Sequence, residues 1–305
     1  MHERVDDEDI YVIDTVMLGI EEQAAAFLID ADEPVIVDTG LQDCAGNVLD
    51  AVEEIGVSHE DVEHVVVTHV HLDHAGGIGE LTEACPNADV LVHERGEKYL
   101  TDEESARRLV EKVHAVEDGL GDAYGGIETV DSDRVKIVDD GDTVGLGDRE
   151  LEVLETPGHA PHHISLYDNS SGALFVVDEG CAYFHGEETV TTPPPNFDYE
   201  QTLESFDRFE EYDAEYLLYG HYGVNYSGGD AIPRHREALH EWVDEIKKTW
   251  KEHEKEGPGA DADEVADDVV ETFLSRRPDE ADDPMVRGIL TRDAYGVLND
   301  LGLGR

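Results

Sequence analysis

The stretch Thr68-His69-Val70-His71-Leu72-Asp73-His74-Ala75-Gly76-Gly77 follows the apolar run Val65-Val66-Val67, and its reading decides that of the whole chain. Three imidazoles and a carboxylate within six residues are metal-donor types, and neither a core nor an ordinary surface explains them. His69 and His71, two apart, point the same way if the backbone stays extended. Asp73 and His74 fall past a bend toward the glycines. Two faces converging on one point suit two metal ions better than one.

Three further candidates share one context, each lying just past an apolar run. His159 follows 151–156 through Pro157-Gly158, Asp178 follows 174–177, and His221 follows 216–219 through Gly220. If these runs are strands of layered sheets, their carboxyl ends open on one edge, where α/β proteins build sites. Alternating β-rich and helix-like runs predict strands over 11–18, 25–29, 34–37, 64–68, 90–93, 134–138, 150–156, 163–167, 173–177 and 215–219. Helices are predicted over 43–55, 78–84, 103–116 and 199–211, with loops over 119–133 and 191–197.

These residues resemble the metallo-β-lactamase superfamily of metallohydrolases, whose signature is HxHxDH followed by three isolated ligands. The resemblance covers residues 10–226, and every signature position is filled in order. It implies an α/β (α+β) fold, a four-layer αββα sandwich of two mixed β-sheets flanked by helices. It implies further that His69, His71 and His159 hold one metal, that Asp73, His74 and His221 hold a second, and that Asp178 bridges them. Among the branches, the chain looks most like generic glyoxalase II-type, hydroxyacylglutathione hydrolase-like enzymes. Such proteins bind two zincs, sometimes iron or manganese. Two departures stand out: an inserted stretch over 95–134, and no tail cations that can be matched to a glutathione carboxylate.

The implied chemistry is hydrolysis of a small ester, thioester or lactone by a metal-bridged hydroxide. Metal binding lowers the pKa of water from 15.7 to about 7. Asp73 doubles as the catalytic residue that orients this water, and no Ser or Cys nucleophile is needed. Tyr222, Asn225, Cys181 and His93 are the candidate pocket residues, and His162 and His163 could support His159 from behind. Packing is the blander reading of Tyr222 and Asn225, and a small buried hydrophobe that of Cys181. Other readings on the same fold are a mononuclear iron sulfur (persulfide) dioxygenase, a nuclease, and a non-catalytic metal-binding protein.

Composition bounds the partners. The 305 residues carry 75 Asp+Glu against 21 Lys+Arg, a formal charge of -54, with no Lys/Arg run longer than two. Nucleic acid and anionic membranes are disfavoured by such a field, which leaves a small-molecule substrate. Evenly spread acidity resembles the surface of proteins from salt-loving cytoplasms. There a Debye length of about 3 Å screens the self-repulsion. Three cysteines without CxxC spacing, no signal-like start and no long apolar stretch predict a cytoplasmic protein in a reducing compartment.

After residue 226 the texture becomes helical only, giving two expected units, 1–226 with the metal site and 227–305 as a helical appendage. Pro233 suits a first turn, and Leu239, Val243, Ile246 and Trp250 share one helical face. Gly257-Pro258-Gly259 ends that helix, Asp261 or Asp263 caps a second, and Asp283-Pro284 opens a third. Their apolar stripes can bury against the body, against one another, or against a second subunit in a homo-oligomer.

Overall fold

Val35, Ile36 and Val37 are all fully buried, which a strand achieves only when both of its faces are covered. The computed structural model describes residues 1–6, 8–116, 121–184, 187–256, 260–277 and 284–304. In it, such strands form the middle of two mixed sheets. The first sheet runs in chain order through β1 (His2–Arg4), β2 (Ile10–Asp14), β3 (Ala25–Ile29), β4 (Val35–Val37), β5 (His64–Val67), β6 (Asp89–His93) and β7 (Val135–Val138). It is antiparallel up to β4 and parallel from β4 to β7.

The second sheet contains β8 (Thr143–Gly145), β9 (Glu150–Glu155), β10 (Ile164–Asp168) and β11 (Ala173–Val177). A separate ribbon of β12 (Ala182–Phe184) and β13 (Glu187–Thr189) comes next in the chain, and β14 (Tyr216–Tyr219) and β15 (Gly223–Asn225) then complete the sheet in the order β15-β14-β11-β10-β9-β8. Here β11 and β14 pair in parallel, and the other neighbours are antiparallel.

The period-two alternation of strand side chains sorts residues into layers. Val35, Val37, Val66, Phe175 and Val177 point between the sheets, and Phe27 meets Phe175 edge-on there at 5.3 Å. Their neighbours Ile36, Val65 and Val67 face outward to α1 (Ala45–Ile55) and α3 (Ile78–Ala84), which lies just past the short turn α2 (Leu72–Ala75). The same layer takes in Leu100 of α4 (Glu94–Thr101) and, partly buried, Leu109 of α5 (Glu103–Val116).

On the far side, Leu174, Val176, Leu217 and Tyr219 share one core with Phe206 and Phe209 of α6 (Tyr199–Phe209). That core continues without a break into α7 (Ile232–Glu256), α8 (Ala262–Leu274) and α9 (Pro284–Asp300), through Leu239, Trp242, Val265, Val269, Ala294 and Val297. The four layers follow the expected αββα order, and the C-terminal helices thicken the last of them.

Local departures have local causes. The strand expected over 11–18 stops at Asp14 because Val16 and Leu18 take positive φ values of 53° and 55°. Within the stretch expected as an insertion, α4 forms where His93 accepts a hydrogen bond from Arg95 N as its cap. Asp261 caps α8 by accepting from Asp263 N, and Pro233 sits in the first turn of α7. Residues 257–259, Asp283 and the start of the 119–133 loop lie outside the described residues. No helix among the described residues is long and apolar enough to cross a membrane.

Candidate metal centre

Strand ends deliver the cluster. Thr68 and His69 leave β5, His71 precedes α2, and Asp73 and His74 lie within α2. From the second sheet, His159 follows β9 by a Thr156-Pro157-Gly158 turn, Asp178 follows β11, and His221 follows β14. Both sheets therefore contribute side chains to one point. Gly220 is required there, because a Cβ would collide with Asp178 Oδ1 and His74 Cε1.

Two triads place their donor atoms within 4.8 Å of one another, His69–His71–His159 and Asp73–His74–His221, and a third grouping, His69–His74–Asp178, links them. His159 Nε2 faces His71 Nδ1 at 3.1 Å. Asp178 Oδ2 is central, 3.3 Å from Nε2 of His74, 3.3 Å from Nε2 of His221 and 3.7 Å from Nε2 of His159. Asp73 Oδ2 lies 3.3 Å from His221 Nε2. All seven residues singled out as ligand candidates are thus brought together.

The imidazoles are held from behind. His74 Nδ1 donates to Asp38 Oδ2 at 2.9 Å, and His221 Nδ1 donates to the carbonyl of Gln23 at 2.8 Å. Thr191 donates its one hydroxyl proton to the Asp178 carbonyl at 3.2 Å, so its oxygen accepts from His159 Nδ1 at 2.9 Å. His69 Nδ1 rests 3.1 Å from the Thr68 hydroxyl. Each of these partners occupies Nδ1 and leaves Nε2 aimed inward, the arrangement by which outer residues orient metal ligands. Asp38 also accepts from Thr68 N at 2.9 Å. Asp38 and Val177 both adopt positive φ, 60° and 52°, the strained backbone that concentrates at functional sites.

Burial holds His69 and His159 well below the usual imidazole range and lowers His71 to about 4, so all three are neutral at pH 7, with lone pairs available. For His74 burial is outweighed by the Asp178 and Asp38 carboxylates, which raise it well above that range, and Asp178 and Asp73 raise His221 to about 10. Asp178 and Asp73 are lowered in turn, because the imidazoles outweigh the cost of burial. His69 Nε2 and Asp178 Oδ1 are buried without a hydrogen-bond partner. Facing lone pairs, orphaned inward atoms and an imidazole–carboxylate donor set fit divalent metal ions.

The pocket candidates are placed differently. Cys181 is fully buried in the outer core and donates its thiol to the Glu179 carbonyl, so it lines no cleft. Asn225 is buried and donates to Glu188, and His93 bonds Glu155 at 3.0 Å. Tyr222 is half-buried among residues between the sheets. His163 does stand behind the site, receiving Asp178 N at 3.4 Å and bonding Thr156, while His162 receives Val70 N at 3.5 Å. Asp38, Thr191 and Glu179, which accepts from His159 N at 3.0 Å, were not foreseen. Asp38 also follows an apolar run, Val35–Val37, so the rule that found His159 and Asp178 extends to it.

A family model described as "Metallo-beta-lactamase superfamily" matches residues 19–221, more than half of the chain and every member of the cluster. The chain belongs to that superfamily. The metallo-beta-lactamase fold-containing protein ST1585 of Sulfurisphaera tokodaii is 36% identical over 166 residues, 54% of this chain and 62% of that protein, so the match spans less than two thirds of the relative. The solved structure of ST1585 superposes with a TM-score of 0.65 at 29% identity, covering 75% of this chain and 85% of that one. The metallo-beta-lactamase family protein TTHA1429 from Thermus thermophilus gives 0.68 over 96% of this chain and 94% of its own, at 20% identity, a likeness of fold alone. An N-acyl homoserine lactonase of Bacillus thuringiensis is a more distant superfamily relative, 24% identical over 64% of this chain and 79% of its own.

Proposed function

We propose that this superfamily member is a binuclear metallohydrolase of a small ester, thioester or lactone, in the manner of the glyoxalase II-type branch. The observation that carries the reading is the convergence of the His74, His159 and His221 Nε2 atoms on Asp178 Oδ2. His69, His71 and His159 would hold one cation and Asp73, His74 and His221 the other, with Asp178 between them. Two divalent ions, zinc by the donor set with iron or manganese as substitutes, would supply Lewis acidity toward a carbonyl oxygen and bring the pKa of water from 15.7 to about 7. Asp73, 8% exposed, would accept a hydrogen bond from that water and fix its orientation. The buried imidazoles keep the surroundings dry, which strengthens every charge interaction in the cleft.

Buried free thiols at Cys44, Cys85 and Cys181 support work in a reducing cytoplasm, and the net charge of -54 supports a salt-loaded one. The expected partner is a small molecule, and a homo-oligomer is compatible with the fold. Elemental analysis of protein purified in molar KCl without chelators tests the reading, followed by a screen of thioesters, esters and lactones. Two zincs per chain and turnover that Asp73→Ala abolishes in a variant that still folds would support it. One iron per chain, or turnover surviving Asp73→Ala, would overturn it.

A further inference from the structure

Of the triad His69–His71–His159, only His159 comes from the second sheet, and it reaches the cleft on a turn. Thr191 holds its ring at Nδ1. Its backbone is held by the peptide unit that joins it to Gly158. The carbonyl of that unit accepts from Asp198 N at 2.8 Å, and its N–H donates to Glu179 Oε2 at 3.0 Å. Asp198 is the N-cap of α6, and Glu179 directly follows Asp178. A peptide plane fixed at both polar groups cannot turn, so the direction in which the His159 side chain leaves the backbone is set.

Glu179 itself is at zero exposure. Its Oε2 lies 3.8 Å from His163 Nδ1, which has a nearer partner in the Thr156 hydroxyl at 2.9 Å. Oε1 makes no hydrogen bond. It sits so near Gly158 and Thr202 that a Cβ on Gly158 would strike both side chains. The Thr202 and Ser205 hydroxyls offer it nothing, because they donate at 3.0 Å to the carbonyls of Asp198 and Gln201. Gly180 is equally tight, with no room for a Cβ against Thr202 and Phe206 of α6. The carboxyl group is wedged between the His159 turn and α6, one oxygen bonded and the other not.

Stability of the fold does not account for an acid here. A fully buried carboxyl group with an unmatched oxygen is destabilising, and an apolar side chain of the same length would fill the space without that penalty. An apolar side chain could not accept from His159 N. A local rule of folding is broken where the break orients a candidate ligand, which is where such violations concentrate.

We propose that Glu179 is a positioning residue for the His69–His71–His159 triad, acting through His159 by holding its backbone N–H so that the imidazole is in place before a cation arrives. The proposal rests on the cation-binding part of the proposed function and not on hydrolysis. Asp38 bonds His74 of the other triad, so the two buried acids divide the centre between them.

The test compares Glu179→Gln, which keeps an acceptor of the same length, with Glu179→Met, which keeps the length and lacks the acceptor, in the full-length chain in molar KCl. Zinc affinity is measured by chelator competition, and the thermal midpoint of chelator-treated protein is measured separately. Glu179→Met should weaken one zinc step about 10- to 100-fold while the metal-free midpoint holds or rises, and Glu179→Gln should restore most of the lost affinity. Asp38→Ala should move the other step, and the double variant both. Unchanged zinc affinity in Glu179→Met, a Gln variant as weak as the Met variant, or Glu179→Met and Asp38→Ala weakening the same step would overturn the proposal. A second reading does not need the Met variant to fold. In chelator-treated protein the His159 amide proton should resonate downfield in the wild type and move upfield in Glu179→Gln, and a signal indifferent to the substitution would overturn the proposal too. A wild type with a single zinc step would count against the two-cation reading, and Glu179 is then judged on that step, which Glu179→Met should still weaken. Absence of hydrolysis would leave Glu179 in its role and remove only the hydrolase reading.

Discussion

Asp38 Oδ2 and His74 Nδ1 meet at 2.9 Å with both side chains at zero exposure. The carboxylate fixes which imidazole nitrogen faces the cleft and also accepts from the backbone and hydroxyl of Thr68 beside His69. Asp38→Ala should lower the affinity of the Asp73–His74–His221 triad for zinc by about 10- to 100-fold. A chelator competition that resolves two binding steps will show the weaker step moving. Unchanged affinities in both steps would mean that the ring is oriented by packing alone.

Gly296→Ala tests the docking of α9. The added methyl would enter the Thr192 carbonyl, and overpacking of this kind costs about 1–3 kcal/mol. Because Thr192 is continuous with the Thr191 support of His159, the variant should lose zinc affinity as well as thermal stability. Loss of stability with intact zinc affinity would confine the helix to a packing role.

His235 predicts a pH dependence. It is 1% exposed and bonded to the Tyr219 hydroxyl at 2.7 Å. Burial lowers its pKa from 6.5 to about 4, against the raising effect of Glu188 and with the aid of Arg234. In the unfolded chain the imidazole takes up a proton near pH 6.5, and in the folded chain it resists until about pH 4. The unfolded state binds more protons in that window, so stability is full above pH 6.5 and is lost as pH falls toward 4. Wild type minus His235→Gln, by denaturant unfolding at pH 7 and pH 4.5 in molar KCl, should isolate roughly 2–3 kcal/mol. Parallel pH profiles for the two proteins would contradict this.

Salt should stabilise the fold. A formal charge of -54 repels itself in dilute buffer, and molar KCl shortens the Debye length to about 3 Å. The thermal midpoint is expected to climb steeply between the two conditions, and an unchanged midpoint would refute the screening argument.

The two-sheet fold was legible because strands buried on both faces leave continuous apolar runs, as at Val65-Val66-Val67 and Leu174-Phe175-Val176-Val177. The cluster was legible because its members either crowd one segment or follow such runs directly. The outer partners were hidden for opposite reasons. Thr191 is one more threonine in a proline-rich connector, and the Gln23 carbonyl carries no sequence signal at all, since any residue would provide it. Helix α4 was masked by its polar composition, as only Gly96 and Leu100 of its eight residues are buried.

The contribution of both sheets to one cluster has a mechanical consequence. Cations held by His69 of the first sheet and His159, Asp178 and His221 of the second would rivet the two halves of the sandwich together at their shared edge. They would close long chain loops and so restrict the unfolded ensemble, as a cross-link does. Secreted proteins gain such staples by oxidising cysteines. With Cys44, Cys85 and Cys181 all buried as free thiols, this chain would gain its staple from metal supply, and its resistance to unfolding would rise and fall with the free cation concentration around it.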